Sequence, residues 1–129
     1  MTGRSWGPAR AMSLQGTSDG PSFLAAANAG TLTIAMIETR KALDALDAIL
    51  STEGIDGVLA GPSDLSVSLT EGRTIDAMHS RVDETLRKIA AAANAAGKFA
   101  ATVAPDAARA RAVAGMGFRL IAISNDSGY

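Results

Sequence analysis

The chain has 129 residues, 47% of them apolar and 19% charged, with a formal net charge of −1 and no cysteine. That size and balance suit one globular domain with a real core. They exclude disulfide frameworks, thiolate metal sites and cysteine nucleophiles, and a near-neutral charge with scattered arginines gives no electrostatic case for nucleic acid or anionic lipid as a partner. No apolar stretch approaches the roughly 20 residues that span a bilayer. The opening MTGRSWGPAR lacks the apolar centre of a secretory signal, so the expected location is cytoplasmic.

The first twenty or so residues read as loop, rich in Gly, Ser, Thr and Pro, with a turn over Gly16 to Pro21. Ser22 is the expected N-cap of a short helix over Phe23 to Asn28, ended by Gly30. Thr31 to Ile37 (TLTIAMI) is a short apolar run bounded by Gly30 and Glu38, which predicts a buried strand. Arg40 to Ser51 follows as a helix with Leu43, Leu46, Ile49 and Leu50 on one face, and Gly54 stops it. Asp56 to Ala60 is a second strand, broken sharply by Gly61-Pro62. The longest helix is predicted over Thr74 to Ala96, where Ile75, Met78, Val82, Leu86, Ile89 and Ala93 recur at steps of three and four. Lys98 to Ala104 reads as a third strand. Pro105 fits the first turn of a helix that runs on to Ala114, and Phe118 to Ile123 makes a fourth strand.

Strands alternating with helices at this spacing mean βα units and a parallel sheet, with both sheet faces buried. Two architectures fit: a small doubly wound domain, or part of a (β/α)8 barrel. A complete barrel takes typically ~250 residues. On the barrel reading these four units form its C-terminal half, residues 1–129 being one partial domain without the N-terminal half.

In parallel α/β folds chemistry collects where strands run into helices. That rule selects Glu38 at the end of the first strand and Asp64 just after the second. An unpaired carboxylate is costly beside a buried strand, and neighbouring strands lie only ~4.8 Å apart, so the two side chains can converge. Two carboxylates without Cys or His make a hard oxygen site suited to Mg²⁺ or Mn²⁺, with water and substrate completing the shell. The bland alternative has Glu38 capping a helix and Asp64 stabilising a turn. Backbone amides of Ser63 and Asp64 after Gly61-Pro62 form a candidate anion pocket, and a metal beside it suggests a small 2-oxo acid. His79, placed on the long helix, reads as a solvated or packing residue. Arg4, Arg10 and Trp6 read as loop and rim residues, and Asp106 and Asp126 as a helix-start charge and a terminal turn. No GxGxxG or P-loop spacing supports a nucleotide.

At Ala35-Met36-Ile37-Glu38-Thr39-Arg40, and again from Gly54-Ile55-Asp56-Gly57-Val58 through Gly61-Pro62-Ser63-Asp64-Leu65-Ser66, the sequence resembles the HpcH/HpaI aldolase family, class II pyruvate aldolases related to the citrate lyase β-subunit. The resemblance is colinear over nearly the whole chain and densest between Ile34 and Ser68; Arg4-Ser5-Trp6-Gly7-Pro8 resembles the loop that precedes this region. It implies a (β/α)8 barrel that cleaves or forms a carbon–carbon bond between pyruvate and an aldehyde through a metal-stabilised enolate. Glu38 and Asp64 fall on its metal-ligand positions, for Mg²⁺, Mn²⁺ or Co²⁺. The backbone at Ser63 and Asp64 falls where the pyruvate carboxylate is held. The family's histidine–aspartate base and substrate-binding arginine come from the first half of the barrel, which nothing here matches, and His79 is not that histidine. Met36 stands where some members carry glutamine. The expected protein is a homo-oligomeric, metal-dependent lyase whose activity is impaired in this fragment. The alternatives are a non-catalytic module that assembles with other chains, or a citrate lyase-like enzyme acting on a CoA thioester.

Overall fold

A computed structural model describes residues 7–124 of the chain. The expectations placed on Arg4, Trp6 and Asp126 lie outside those residues. The chain divides after Thr31 into two compact units.

The first unit holds two short helices, α1 (Ala9–Leu14) and α2 (Gly20–Ala26). The opening is thus not all loop. The cap of α2 is Asp19 rather than Ser22: the Asp19 carboxylate accepts the Ser22 backbone N–H at 3.2 Å. Pro21 lies inside the first turn, where its fixed φ and missing N–H cost nothing.

The second unit is a four-stranded parallel sheet in the order β1 (Ile34–Ile37), β2 (Gly57–Ala60), β3 (Phe99–Ala104), β4 (Leu120–Ile123). Between β1 and β2 lie α3 (Arg40–Asp44) and α4 (Leu46–Ser51), so the single helix expected over 40–51 breaks at Ala45. Between β2 and β3 lie α5 (Pro62–Leu69) and α6 (Ser80–Ala95), and α7 (Ala107–Gly115) joins β3 to β4. Strand order equal to chain order, with the right-handed crossovers that parallel strands take, puts all connections on one side of the sheet. That is a barrel segment and not a doubly wound sheet, whose strand order must reverse.

The register shows which side. Ile37, Ala60 and Thr102 are paired across three strands, as are Met36, Leu59, Ala101 and Leu120 across four. Ile37, Val58, Ala60 and Ala100 point into the core with Leu50, Leu65, Leu86, Ile89 and Val113 from the helices. The opposite face carries Ile34, Met36, Val103 and Leu120, all exposed. The continuous apolar runs predicted burial on both faces; within the described residues the helix-covered face is buried, while the other buries Ala101 at its centre and exposes its larger side chains.

Three more helices differ from expectation. Gly61-Pro62 does not merely end β2: Pro62 opens α5, a helix the sequence reading left out. The long helix starts at Ser80 instead of Thr74, and His79 is its N-cap, with Nδ1 accepting the Arg81 N–H at 3.2 Å. Ile75 and Met78 are exposed, on the loop before the helix. Their fit to the apolar stripe was coincidental. At α7 the cap is Asp106, whose carboxylate accepts the Arg109 N–H at 2.8 Å, so Pro105 precedes the helix. Among the described residues no helix is long and apolar enough to cross a membrane.

Candidate metal centre

Glu38 and Asp64 are brought together by one extra rung of the sheet. Past the last paired residues of β1 and β2, the Gly61 N–H donates to the Ile37 carbonyl at 3.3 Å. Glu38 therefore lies alongside Gly61 as the strands end. Gly61 is the N-cap of α5, with φ −96° and ψ 98°, and it turns the chain so that Asp64 falls in the first helical turn.

The two carboxylates meet over Gly61. A Cβ built on Gly61 would stand 3.4 Å from Asp64 Oδ2, 3.4 Å from Glu38 Oε2 and 3.4 Å from Glu38 Cβ. Both oxygens thus lie near one point beside Gly61, close to the backbone that a side chain at residue 61 would crowd. Glu38 is half-buried and Asp64 exposed, so solvent reaches the pair. The ion pairs among the described residues are Arg40–Glu71, Arg73–Glu71 and Arg109–Asp83, which leaves neither carboxylate neutralised by a cation. Nor is Glu38 the helix cap: Thr39 does that work for α3, its hydroxyl accepting the Ala42 N–H at 3.1 Å.

Among the described residues no third His, Cys, Asp or Glu joins the pair. Two carboxylates are nevertheless a normal protein contribution for Mg²⁺, which keeps several waters and takes the rest from substrate. The pair fits a hard divalent cation and gives nothing to a soft one.

Around the pair, α5 offers its first turn. The leading N–H groups of a helix have no intrahelical acceptor, and Gly61 brings no side chain to cap them. Ser63 and Asp64 are the residues whose amides stand there. Ser66, fully buried, fixes that turn: its hydroxyl donates to the Ser63 carbonyl at 2.7 Å and accepts the Asp76 N–H at 2.9 Å. Ser63 also borders a mainly apolar cavity of about 380 Å³ at the carboxyl ends of β2, β3 and β4, lined by Pro62, Met78, Val103, Pro105 and Ser124 among others. Met36 lies two residues before Glu38, exposed on the open sheet face.

Sequence reasoning pointed to Glu38, Asp64 and the Ser63–Asp64 turn, and the structure brings the two carboxylates near each other. It missed Ser66 and the loop it anchors, because that loop was read as helix. A serine one turn into a Pro-initiated helix was the available signal.

Comparison with known proteins shows the family of the chain. The 5-keto-4-deoxy-D-glucarate aldolase of Salmonella paratyphi C (strain RKS4594) is 38% identical over 108 residues, covering 84% of this chain and 41% of the relative. The chain thus spans well under half the length of this relative. An HpcH/HpaI aldolase/citrate lyase family protein from Burkholderia cenocepacia J2315 superposes with a TM-score of 0.81 at 31% identity, over 97% of this chain and 47% of the other. The HpcH/HpaI aldolase of Desulfitobacterium hafniense DCB-2 does so with a TM-score of 0.78 at 27% identity, over 96% and 47%. Residues 6–129 match the sequence family described as HpcH/HpaI aldolase/citrate lyase. With that match over nearly its whole length, the chain belongs to the HpcH/HpaI aldolase/citrate lyase family.

Proposed function

We propose that this chain carries the metal-binding half of an aldolase-type site, one that makes or cleaves a 2-oxo acid from pyruvate and an aldehyde. The observation that carries the reading is that Glu38 Oε2 and Asp64 Oδ2 each come within 3.4 Å of one point beside Gly61. Membership of a family of aldolases and lyases, and 38% identity to a relative named as an aldolase, support the same chemistry.

In this reading Glu38 and Asp64 hold Mg²⁺ or Mn²⁺, and the cation supplies Lewis-acid polarisation of a keto oxygen. The chain's own residues do the rest of the binding. The amides of Ser63 and Asp64 orient the carboxylate of the 2-oxo acid at the start of α5, where backbone N–H groups and the helix dipole favour an anion. Ser66 keeps that turn rigid by holding the Ser63 carbonyl. The cavity beside Ser63, walled by Pro62, Val103 and Pro105, takes the less polar part of the ligand and sheds water from around it. The residues that the family resemblance assigns to proton transfer have no match in this chain, so binding of metal and 2-oxo acid outlasts turnover.

Paramagnetic broadening tests this. With Mn²⁺ and the chain together, the pyruvate methyl proton signal is expected to broaden beyond the effect of Mn²⁺ alone, and Asp64→Ala to abolish the excess. Broadening no greater with the chain than without it would refute the proposal.

A further inference from the structure

We propose that Arg40 is a positioning residue, which sets the separation of Glu38 and Asp64 by clamping the far end of α5 to the segment that carries Glu38. The proposal rests on the metal reading above and extends it to a residue that touches neither the cation nor the substrate.

Helix α5 meets the β1–α3 connection at both ends. At its start Gly61 N–H bonds Ile37 O at 3.3 Å, and Asp64 faces Glu38. At its end three bonds come from one residue. The Arg40 backbone N–H donates to Ser68 Oγ at 2.9 Å, Arg40 Nε donates to Ser68 O at 3.2 Å, and Arg40 Nη2 donates to Leu69 O at 3.0 Å. These carbonyls belong to the last turn, which has no intrahelical donors, and a cation is favoured at that negative end. Glu71, 3.5 Å from Arg40 Nη2, steadies the guanidinium, and Arg81 Nη1 adds a bond to Leu69 O at 3.2 Å from α6.

The consequence is a closed frame. Glu38 and Arg40 are two residues apart on one stretch of backbone; Asp64, Ser68 and Leu69 ride on one eight-residue helix. A helix of that length is a rod of roughly 12 Å. With Arg40 in place the rod is pinned at both ends, and Asp64 cannot swing against Glu38. Without the fork of Nε and Nη2, that end keeps only the backbone bond to Ser68 Oγ and the Arg81 bond to Leu69 O, and the spacing of the carboxylates loosens.

A loosened pair affects cations unequally. Mg²⁺ demands short bonds and near-ideal octahedral geometry, whereas Ca²⁺ accepts longer bonds and irregular shells. Loss of stability alone lowers both affinities in proportion; loss of positioning lowers that for Mg²⁺ more.

The test uses the whole chain, with free Mn²⁺ followed by electron paramagnetic resonance and Mg²⁺ and Ca²⁺ added as competitors. In Arg40→Met the affinity for Mg²⁺ is expected to fall about tenfold, the range known for residues that orient metal ligands, while that for Ca²⁺ changes much less. Arg40→Lys keeps the charge but not the fork; it is expected to fall between, and it carries the same test if Arg40→Met does not fold. Lys98→Met is the stability control: Lys98 Nζ donates to the carbonyls of Thr52 (2.9 Å) and Ile55 (2.6 Å), at the opposite end of the sheet. It is expected to lower stability and leave the Mg²⁺ to Ca²⁺ ratio alone. An unchanged ratio in both Arg40 variants, or the same shift in Lys98→Met, overturns the role of Arg40. A wild-type chain that binds no Mn²⁺ overturns the metal reading, and this inference with it.

Discussion

Glu38 and Asp64 sit on different elements, one closing a strand and the other opening a helix, yet an oxygen of each comes within 3.4 Å of a single point beside Gly61. The approach is made by backbone: the rung between Gly61 and Ile37 fixes the height of Glu38, and the Gly61–Pro62 turn sets the direction of Asp64. Nothing in the arrangement needs the carboxylates to attract each other, and their like charge opposes it. A cation removes that repulsion.

The first prediction concerns the glycine. Its φ of −96° suits any L residue, and 3.4 Å is ordinary contact for a methyl, so Gly61→Ala is expected to fold. Stability without metal should change by about 0.5 kcal/mol or less, or rise slightly as the unfolded chain loses freedom. The methyl stands against both oxygens and crowds any ion they share, so stabilisation by Mg²⁺ or Mn²⁺ is expected to weaken. Thermal unfolding with and without metal reads both effects. A folded Gly61→Ala with an unchanged metal response would show that the cation binds away from Gly61.

Gly57 gives the opposite outcome at a neighbouring glycine. A Cβ there would lie 2.7 Å from the Phe99 carbonyl oxygen and from two atoms of its ring. The ring can swing away, but the backbone oxygen of the paired strand cannot without shifting β2 against β3. Gly57→Ala is expected to cost about 2 kcal/mol, in the usual range for overpacking, read from the urea midpoint.

The ion pair of Asp83 and Arg109 ties α6 to α7, with side chains 32% and 7% exposed respectively. Its two halves are not equivalent. Asp83→Ala strands a guanidinium that water scarcely reaches, while Arg109→Met leaves a carboxylate that can still be hydrated. Asp83→Ala is expected to cost about 2–3 kcal/mol, somewhat below the figure for fully buried pairs, and Arg109→Met less. The double variant should cost less than the two singles added, as a thermodynamic cycle would measure.

At acid pH the cap of α2 should weaken. Hydrogen bonding from Ser22, its hydroxyl foremost and its backbone N–H second, holds the Asp19 carboxyl below its ordinary value of 3.8. A depressed carboxyl stabilises the folded form above the unfolded value, and that contribution is lost as pH falls through the folded one. The start of α2 is therefore expected to fray below pH 3.8, visible as a shift of the Ser22 amide signal that Asp19→Asn removes.

Much of this was legible in the sequence because the strands are short apolar runs closed by charge or glycine; all four form inside their expected spans. The carboxylates were singled out by position alone, since strand ends are where parallel folds keep their chemistry, and their proximity follows from the rung between Gly61 and Ile37. Helix α5 was hidden by Pro62, a residue that breaks a helix from within but suits its first turn. The start of α6 was obscured because Ile75 and Met78 fit a 3.6-residue stripe by chance; only tertiary contact shows that they face solvent. The clamp by Arg40 joins residues 28 and 29 positions apart through side-chain-to-backbone bonds, which leave no periodic trace. Burial on both sheet faces was inferred from composition, which reports what a strand tolerates and not what covers it.

The central claim is that Glu38 and Asp64 share one divalent cation. Titration of the whole chain with Mn²⁺, with the free ion counted by electron paramagnetic resonance, tests it most directly. The account predicts one Mn²⁺ per chain, displaced by Mg²⁺, with affinity reduced about tenfold or more in both Glu38→Gln and Asp64→Asn while each variant stays folded. Binding that survives both substitutions unchanged, or no binding by the unaltered chain, would contradict it.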